Sequence, residues 1–213
     1  MQNLDLSKIK RIFFIGIGGV GISGGAQFAL SQGIEVSGLD KEKSKTLELL
    51  KKVGINVIMQ NDLRDLPRAD LYVYSDAWLY LGPEIIEQAK ATGNPVLSYF
   101  EFLGIFIKDY KVIAIAGTHG KTTTTAMVAE IMIDAGLNPT VIVGSFLKKL
   151  DPSNGGIGSN FRKGKEDQGE YLVVEADEYN RHFLNFFPYI TAITNIEADH
   201  LDCYRDLQDI QTA

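Results

Sequence analysis

The stretch FFIGIGGVGISG, residues 13–24, decides the fold of the first half of the chain. A short β-type run at residues 12–15 empties into glycines at the spacing G-x-G-x-x-G, and residues 23–32 are small, apolar and helix-compatible up to Gly33. Strand, glycine turn and helix form a unit whose helix start offers free N–H groups and partial positive charge to an anion. In such a unit Gly16 makes the tight turn, Gly18 lets backbone approach a phosphate, and Gly21 lets helix and sheet pack closely. Asp40 ends the next predicted strand, where an acid can accept a ribose hydroxyl. The spacing favours a nucleotide-type ligand over a purely structural turn. It does not say whether that ligand is a dinucleotide such as NAD or another carrier of a pyrophosphate.

Outward from this stretch, strands and helices alternate. Strands are expected at residues 34–39, 55–59, 69–75 and 95–97, and helices at 44–53 and 83–92, the latter with Pro83 in its first turn. That alternation predicts a parallel, doubly wound sheet. A second unit begins near Lys111, where VIAIAG runs into THGKTTTT and a helix over 123–135. Buried strands are expected at 141–143, 171–175 and 190–194, and the polar segment 151–169 reads as a long surface loop. The fold class is therefore α/β: a Rossmann-like parallel-sheet domain over residues 1–108, then an incomplete P-loop-type central domain over 109–213. The sequence reaches Ala213 without the turn or capping signals of a finished domain, so a piece of a longer protein, inactive alone, is the expectation.

Bulk properties narrow the function. With 213 residues and 45% hydrophobic content the chain can bury two cores. Twenty-seven acidic against 21 basic residues give a formal charge of −6, which does not attract nucleic acid or anionic membranes. The one cysteine, Cys203, excludes an intrachain disulfide framework and fits a reducing compartment. No signal-peptide pattern and no run near the roughly 20 apolar residues of a membrane span is present, so a cytoplasmic location is expected.

The second motif is GTHGKTTTT, residues 117–125. The ordinary phosphate-loop pattern would place its first glycine at position 115, but Ile115 stands there, so the loop is a shortened variant. Its chemistry still holds together. Backbone N–H groups of Gly117, Thr118, His119 and Gly120, with the helix start through Thr123, can cradle ATP phosphates. Lys121 neutralises β/γ oxygens and Thr122 offers a hydroxyl to Mg²⁺. The His119 side chain is a weaker candidate, because a loop histidine is more often solvated than catalytic.

Two strand ends supply acids beside this loop: EADE at residues 175–178 and NIEADHLD at 195–202. In an open parallel sheet, ligands sit beyond the carboxyl ends of the strands. Mg²⁺ takes hard oxygen ligands, which makes Glu175 a candidate ligand and His200 a candidate second-metal or water-orienting group. Asp177 and Glu178 read as helix caps or solvated loop charges.

The order GIGGVGISG, AGTHGKTTTT, EADEYNRHFL, TNIEADHLD resembles the Mur ligases of peptidoglycan synthesis over essentially the whole chain, and EADEYNRHFL resembles the L-alanine-adding members. The resemblance implies an ATP- and Mg²⁺-dependent amide ligase with UDP-N-acetylmuramate and L-alanine as partners, and neither nucleic acid nor membrane. It implies that Lys121 holds ATP phosphates, Thr122 and Glu175 bind one Mg²⁺ and His200 a second, with Lys121, Glu175 and His200 the catalytic set. Gly16, Gly18, Gly19, Val20, Gly21 and Ser23, with Asp40, would meet the UDP-sugar. The family's Ser-Ser-Ala stretch after the fourth strand is Ser75-Asp76-Ala77 here, a departure that touches the sugar or uridine contacts expected of Ser75. Three alternatives stay open: a ligase that attaches a recycled tripeptide to the same UDP-sugar, a non-catalytic nucleotide sensor, and a catalytically dead homologue.

Overall fold

The computed structural model describes residues 4–151, 158–164 and 170–212. The chain divides into two compact units, Met1–Phe102 and Leu103–Ala213.

The first unit is a five-stranded parallel sheet in the order β3-β2-β1-β4-β5. Its strands are β1 (Arg11–Ile15), β2 (Glu35–Asp40), β3 (Asn56–Met59), β4 (Leu71–Tyr74) and β5 (Val96–Ser98). Between them run α1 (Val20–Ser31), α2 (Lys45–Lys52), the short α3 (Trp78–Leu81) and α4 (Pro83–Ala91). Side chains of β1 alternate between two covered faces, as a period of two dictates. Phe13 and Ile15 pack with Ile85, Ile86 and Ala89 of α4. Phe14 meets Phe102 edge to face at 5.4 Å, on helix α5 (Tyr99–Phe106). Burial on both faces explains why the opening run is apolar without alternation. Each fully buried Phe or Ile contributes about 1.5–3 kcal/mol.

Helix α5 escapes sequence reading because YFEFLGIF is almost uniformly apolar. Its start is nonetheless capped reciprocally: Ser98 Oγ accepts the Glu101 N–H at 3.3 Å and Glu101 Oε2 accepts the Ser98 N–H at 2.8 Å.

The second unit has a mixed five-stranded sheet in the order β10-β6-β9-β7-β8. Its strands are β6 (Lys111–Ala116), β7 (Thr140–Leu147), β8 (Ser159–Arg162), β9 (Tyr171–Glu175) and β10 (Ile190–Ile193). All pair in parallel except β8, which runs antiparallel to β7. Helix α6 (Lys121–Asp134) covers one face, with Met132 against Ile113, Ile115 and Val173, and Ala129 against Val141 and Val143. A short α7 (Leu207–Gln211) closes the described chain.

Two expectations are corrected here. Residues 151–169 are not one loop: Ser159–Arg162 forms β8, with Asn160 fully buried, while 152–157 and 165–169 lie outside the described residues. Strand β10 is not buried: Ile190 and Ile193 are 48% and 59% exposed, because β10 is an edge with β6 as its one neighbour among the described residues. No described helix is long and apolar enough to cross a membrane.

Candidate functional site

In the first unit the glycine turn sits beyond the carboxyl end of β1. Gly16 has φ +82, and its N–H donates to Leu39 O at 2.9 Å. A Cβ there would lie 2.2 Å from Trp78 Nε1, so the indole requires glycine at this position. Gly18 donates its N–H to Asp40 Oδ2 at 2.8 Å, and the Lys41 N–H reaches Asp40 Oδ1 at 2.7 Å. Both carboxylate oxygens of Asp40 thus hold backbone, so the acid expected to read a ribose also staples the turn.

Gly19 caps α1 and lies open with Val20, at the end where an anion would dock. Ser23 is fully buried and donates its hydroxyl to Val20 O at 2.8 Å, so it is not presented there. Ser75 follows β4, with its N–H on Ile15 O at 3.0 Å and its carbonyl accepting the Trp78 N–H at 2.8 Å. Gly16, Gly18, Asp40 and Ser75 are therefore brought to one end of the sheet, and Ser23, in the first turn of α1, lies at that end but buried. The close-packing glycine is also not the expected one. A Cβ on Gly21 would stand 3.5 Å from Tyr99, ordinary contact, whereas one on Gly25 would come within 2.6 Å of it.

In the second unit the loop between β6 and α6 is shaped by two left-handed glycines, Gly117 (φ +125) and Gly120 (φ +82). Helix α6 begins at Lys121, two residues before the expected start. The segment after β10 bolts the loop in place. Thr118 N–H donates to Asn195 O at 3.2 Å and His119 N–H to Asn195 Oδ1 at 2.9 Å. Thr194 Oγ1 donates to His119 O at 2.6 Å, and Glu197 N–H to Thr118 Oγ1 at 3.0 Å. A Cβ on Gly117 would meet Thr194 Oγ1 at 2.2 Å. The loop is thus pre-formed by its neighbour strand, with the His119 and Thr123 side chains open to solvent.

Glu175 ends β9, next to β6. Burial pushes its carboxyl above the ordinary range, while the Thr122 side chain and the Gly144 backbone N–H pull it the other way. Its Oε1 is buried with no hydrogen-bond partner among the described residues, and a Cβ on Gly144 would come within 2.5 Å of Oε2. An orphaned carboxylate oxygen beside a threonine hydroxyl is a hard-oxygen donor set that suits Mg²⁺, which is held by few protein ligands together with phosphate. Among the described residues no group of three or more His, Cys, Asp or Glu is gathered to hold a metal. His200 has its Nε2 3.6 Å from Glu178 Oε1 and its ring 5.2 Å from that of Tyr179, so its partner is Glu178.

Glu178 is the residue that sequence reading missed. It is 8% exposed, and both its oxygens accept from Lys121 Nζ at 2.8 Å. The signal was available only as one more acid after a strand. Its burial is tertiary: Tyr204, 26 residues on, donates its hydroxyl to Glu178 O at 2.6 Å. Asp177 caps locally, accepting the Tyr179 N–H at 3.2 Å with His182 Nδ1 3.3 Å from its other oxygen. On the sheet face away from α6, Ala114 and Ala116 floor an apolar groove of about 390 Å³ walled by Phe183, Phe186 and Ile193.

The chain matches two family profiles, "Mur ligase family, catalytic domain" over residues 11–111 and "Mur ligase middle domain" over 115–213. It is 44% identical over 212 residues to the UDP-N-acetylmuramate–L-alanine ligase of Clostridium botulinum (strain Kyoto / Type A2), covering 99% of this chain and 44% of that protein. Among solved structures it is similar to the UDP-N-acetylmuramate-alanine ligase of Thermotoga maritima (TM-score 0.83, 31% identity, 95% of this chain and 45% of that one). It is also similar to the UDP-N-acetylmuramate:L-alanyl-gamma-D-glutamyl-meso-diaminopimelate ligase of Neisseria meningitides (TM-score 0.79, 30% identity, 96% of this chain and 66% of that one). The chain spans less than half the length of the curated relatives it matches.

Proposed function

Because the chain belongs to the Mur ligase family, we propose that it is part of an ATP-dependent ligase joining L-alanine to the lactyl carboxylate of UDP-N-acetylmuramate in peptidoglycan-precursor synthesis. One observation carries this reading: the orphaned Glu175 oxygen beside Thr122, at the start of the helix that follows the GTHGKT loop. A buried carboxylate oxygen left without a partner is costly unless a cation joins it.

A carboxylate is a poor electrophile until it carries a leaving group. In the proposed reaction the lactyl carboxylate attacks the γ-phosphorus of ATP, releasing ADP and leaving an acyl phosphate. The amine of L-alanine then attacks the acyl carbon, and phosphate departs from the tetrahedral intermediate. Phosphoryl transfer needs in-line positioning and charge neutralisation more than covalent help. The residues of this chain supply those: the α6 start and the N–H groups of the 117–120 loop other than Thr118 and His119, which donate to Asn195, would cradle phosphates, and Lys121 would neutralise their oxygens. Thr122 and Glu175 would hold Mg²⁺, which supplies charge stabilisation at the phosphates, and His200 would serve a second ion. Gly16, Gly18, Gly19, Val20 and Gly21, with Ser75 and the Asp40-stapled turn, would take the UDP-sugar within residues 1–108; residues 109–213 would take ATP. A reaction fed by ATP and a UDP-sugar supports a cytoplasmic location.

L-Alanine is preferred to a tripeptide because eight curated relatives at 40–44% identity are L-alanine ligases by name. The test uses the native protein in full length with UDP-N-acetylmuramate, ATP and Mg²⁺, offering either L-alanine or the tripeptide and reading ADP and product mass. L-Alanine-dependent product is expected, and product with tripeptide alone would overturn the choice. Lys121→Ala is expected to abolish ATP-dependent phosphate release while sparing UDP-sugar binding.

A further inference from the structure

All three protons of the Lys121 ammonium have acceptors inside the protein. One accepting atom is Gly117 O at 2.7 Å, and the others are Glu178 Oε1 and Oε2 at 2.8 Å each. The two side chains are 19% and 10% exposed, so water screens this pair little. A two-oxygen anion thus already sits on the loop's cation, in the chemical role that phosphate oxygens would take. A polyphosphate that uses Lys121 has to replace it.

The segment bearing Glu178 is built to deliver it. Its carbonyl accepts the Tyr204 hydroxyl at 2.6 Å and the Arg181 N–H at 3.1 Å. The following Asn180 and Arg181 are both left-handed, at φ +49 and +58, a conformation that costs non-glycine residues about 1–2 kcal/mol each. Arg181 is held there by Asp209 Oδ1 at 2.9 Å and by the Tyr204 ring 5.1 Å away. Strain of this kind persists where surrounding contacts over-determine it. The carboxylate also has a second neighbour to turn to, His200 Nε2 at 3.6 Å.

We propose that Glu178 is a positioning residue that latches the phosphate loop: it is the counter-ion of Lys121 in the nucleotide-free protein and is displaced onto His200 when a polyphosphate arrives. The latch supplies a counter-charge to a largely buried ammonium while the loop is empty. It also joins the loop to the 195–202 segment, so phosphate arrival is felt at His200. This rests on the reading of Lys121 as a phosphate ligand, and it makes Glu178 a competitor of phosphate rather than a contact to it.

Isothermal calorimetry on the 213-residue chain with inorganic tripolyphosphate, free of metal and at low salt, tests it. Glu178→Gln keeps the shape and removes the charge, and is expected to bind tripolyphosphate at least roughly fivefold more tightly than the wild type, the lower end of ordinary coupling between sites. Lys121→Ala, alone or combined with Glu178→Gln, is expected to abolish binding. A merely structural role predicts weaker binding together with a lower melting temperature. Glu178→Gln that is folded by circular dichroism and binds no more tightly than wild type overturns the latch. Should Glu178→Gln not fold, Glu178→Asp, which withdraws the carboxylate by one methylene, is expected to bind more tightly than wild type, and equal or weaker binding overturns the proposal. Wild type and both charge variants all failing to bind would overturn the phosphate-site reading itself, an outcome distinct from equal binding by all three.

Discussion

Asp40 Oδ2 accepts the backbone N–H of Gly18 at 2.8 Å across 22 residues of sequence. The acid at the end of β2 therefore fixes the glycine turn at the end of β1, and its other oxygen holds its own neighbour's N–H. Removing it leaves a turn N–H unpaired and loosens the place where a pyrophosphate would dock. Asp40→Ala is expected to destabilise the first unit by about 1.5–3 kcal/mol, the range for hydrogen bonds to a charged group. Trp78 is the single tryptophan and lies in this unit against Gly16, so its fluorescence during urea denaturation reads the effect. An unchanged midpoint would show that the staple contributes nothing.

Gly16 and Gly33 make a matched pair for separating backbone strain from steric clash. Both have φ near +80, but a Cβ on Gly33 meets nothing within 4 Å, whereas one on Gly16 strikes the Trp78 indole. Gly33→Ala should cost only the left-handed penalty of about 1–2 kcal/mol. Gly16→Ala should cost at least about 1 kcal/mol more, the lower limit for overpacking a filled site, and should shift the emission of Trp78. Equal losses in the two variants would mean the indole moves aside freely.

Asp209 gives a pH dependence with a definite sign. The Arg205 backbone N–H is the largest cause, followed by the Arg205 side chain and Arg181; together they pull its carboxyl from an ordinary 3.8 down to about 2. A folded value below the unfolded one means the ionised group stabilises the fold fully above pH 3.8, and that contribution is lost as pH falls from 3.8 towards about 2. The stability gap between wild type and Asp209→Asn, followed by far-ultraviolet circular dichroism, should be constant near neutrality and close over that window. A gap of the same size at pH 2.5 and pH 6 would exclude a role for the charge.

What the sequence disclosed was whatever is written in local spacing. The glycines of residues 16–21 and 117–120, the acid at Asp40 and the strand ending at Glu175 are local patterns, and each lies at the carboxyl end of its sheet. What it concealed depends on partners distant in sequence. Gly25, not Gly21, is the close-packing glycine because Tyr99 arrives 74 residues later on a helix whose uniform apolarity hides its period. Glu178 looks like a solvated loop acid until Tyr204 and Lys121 bury it. Strand β8 hides in a polar tract because its burial is of Ser159 and Asn160, the residue types that mark loops.

Glu175 should show stability and function pulling in opposite directions. Its Oε1 is buried with no partner among the described residues, and burial holds its carboxyl above the usual range, so at neutral pH the metal-free protein bears a desolvation cost that the Thr122 and Gly144 hydrogen bonds offset only in part. Glu175→Gln keeps the shape beside Gly144 and removes the charge, which should raise the melting temperature of the metal-free chain by roughly 2–4 °C if about 1 kcal/mol is recovered. The same change removes the strongest hard-oxygen donor near Thr122, so the further stabilisation expected from millimolar Mg²⁺ with tripolyphosphate should disappear. Scanning calorimetry of wild type and variant, each with and without those ligands, reads both effects. A variant that is less stable when metal-free would mean that Glu175 is satisfied by the fold itself, and its assignment to a cation would fall.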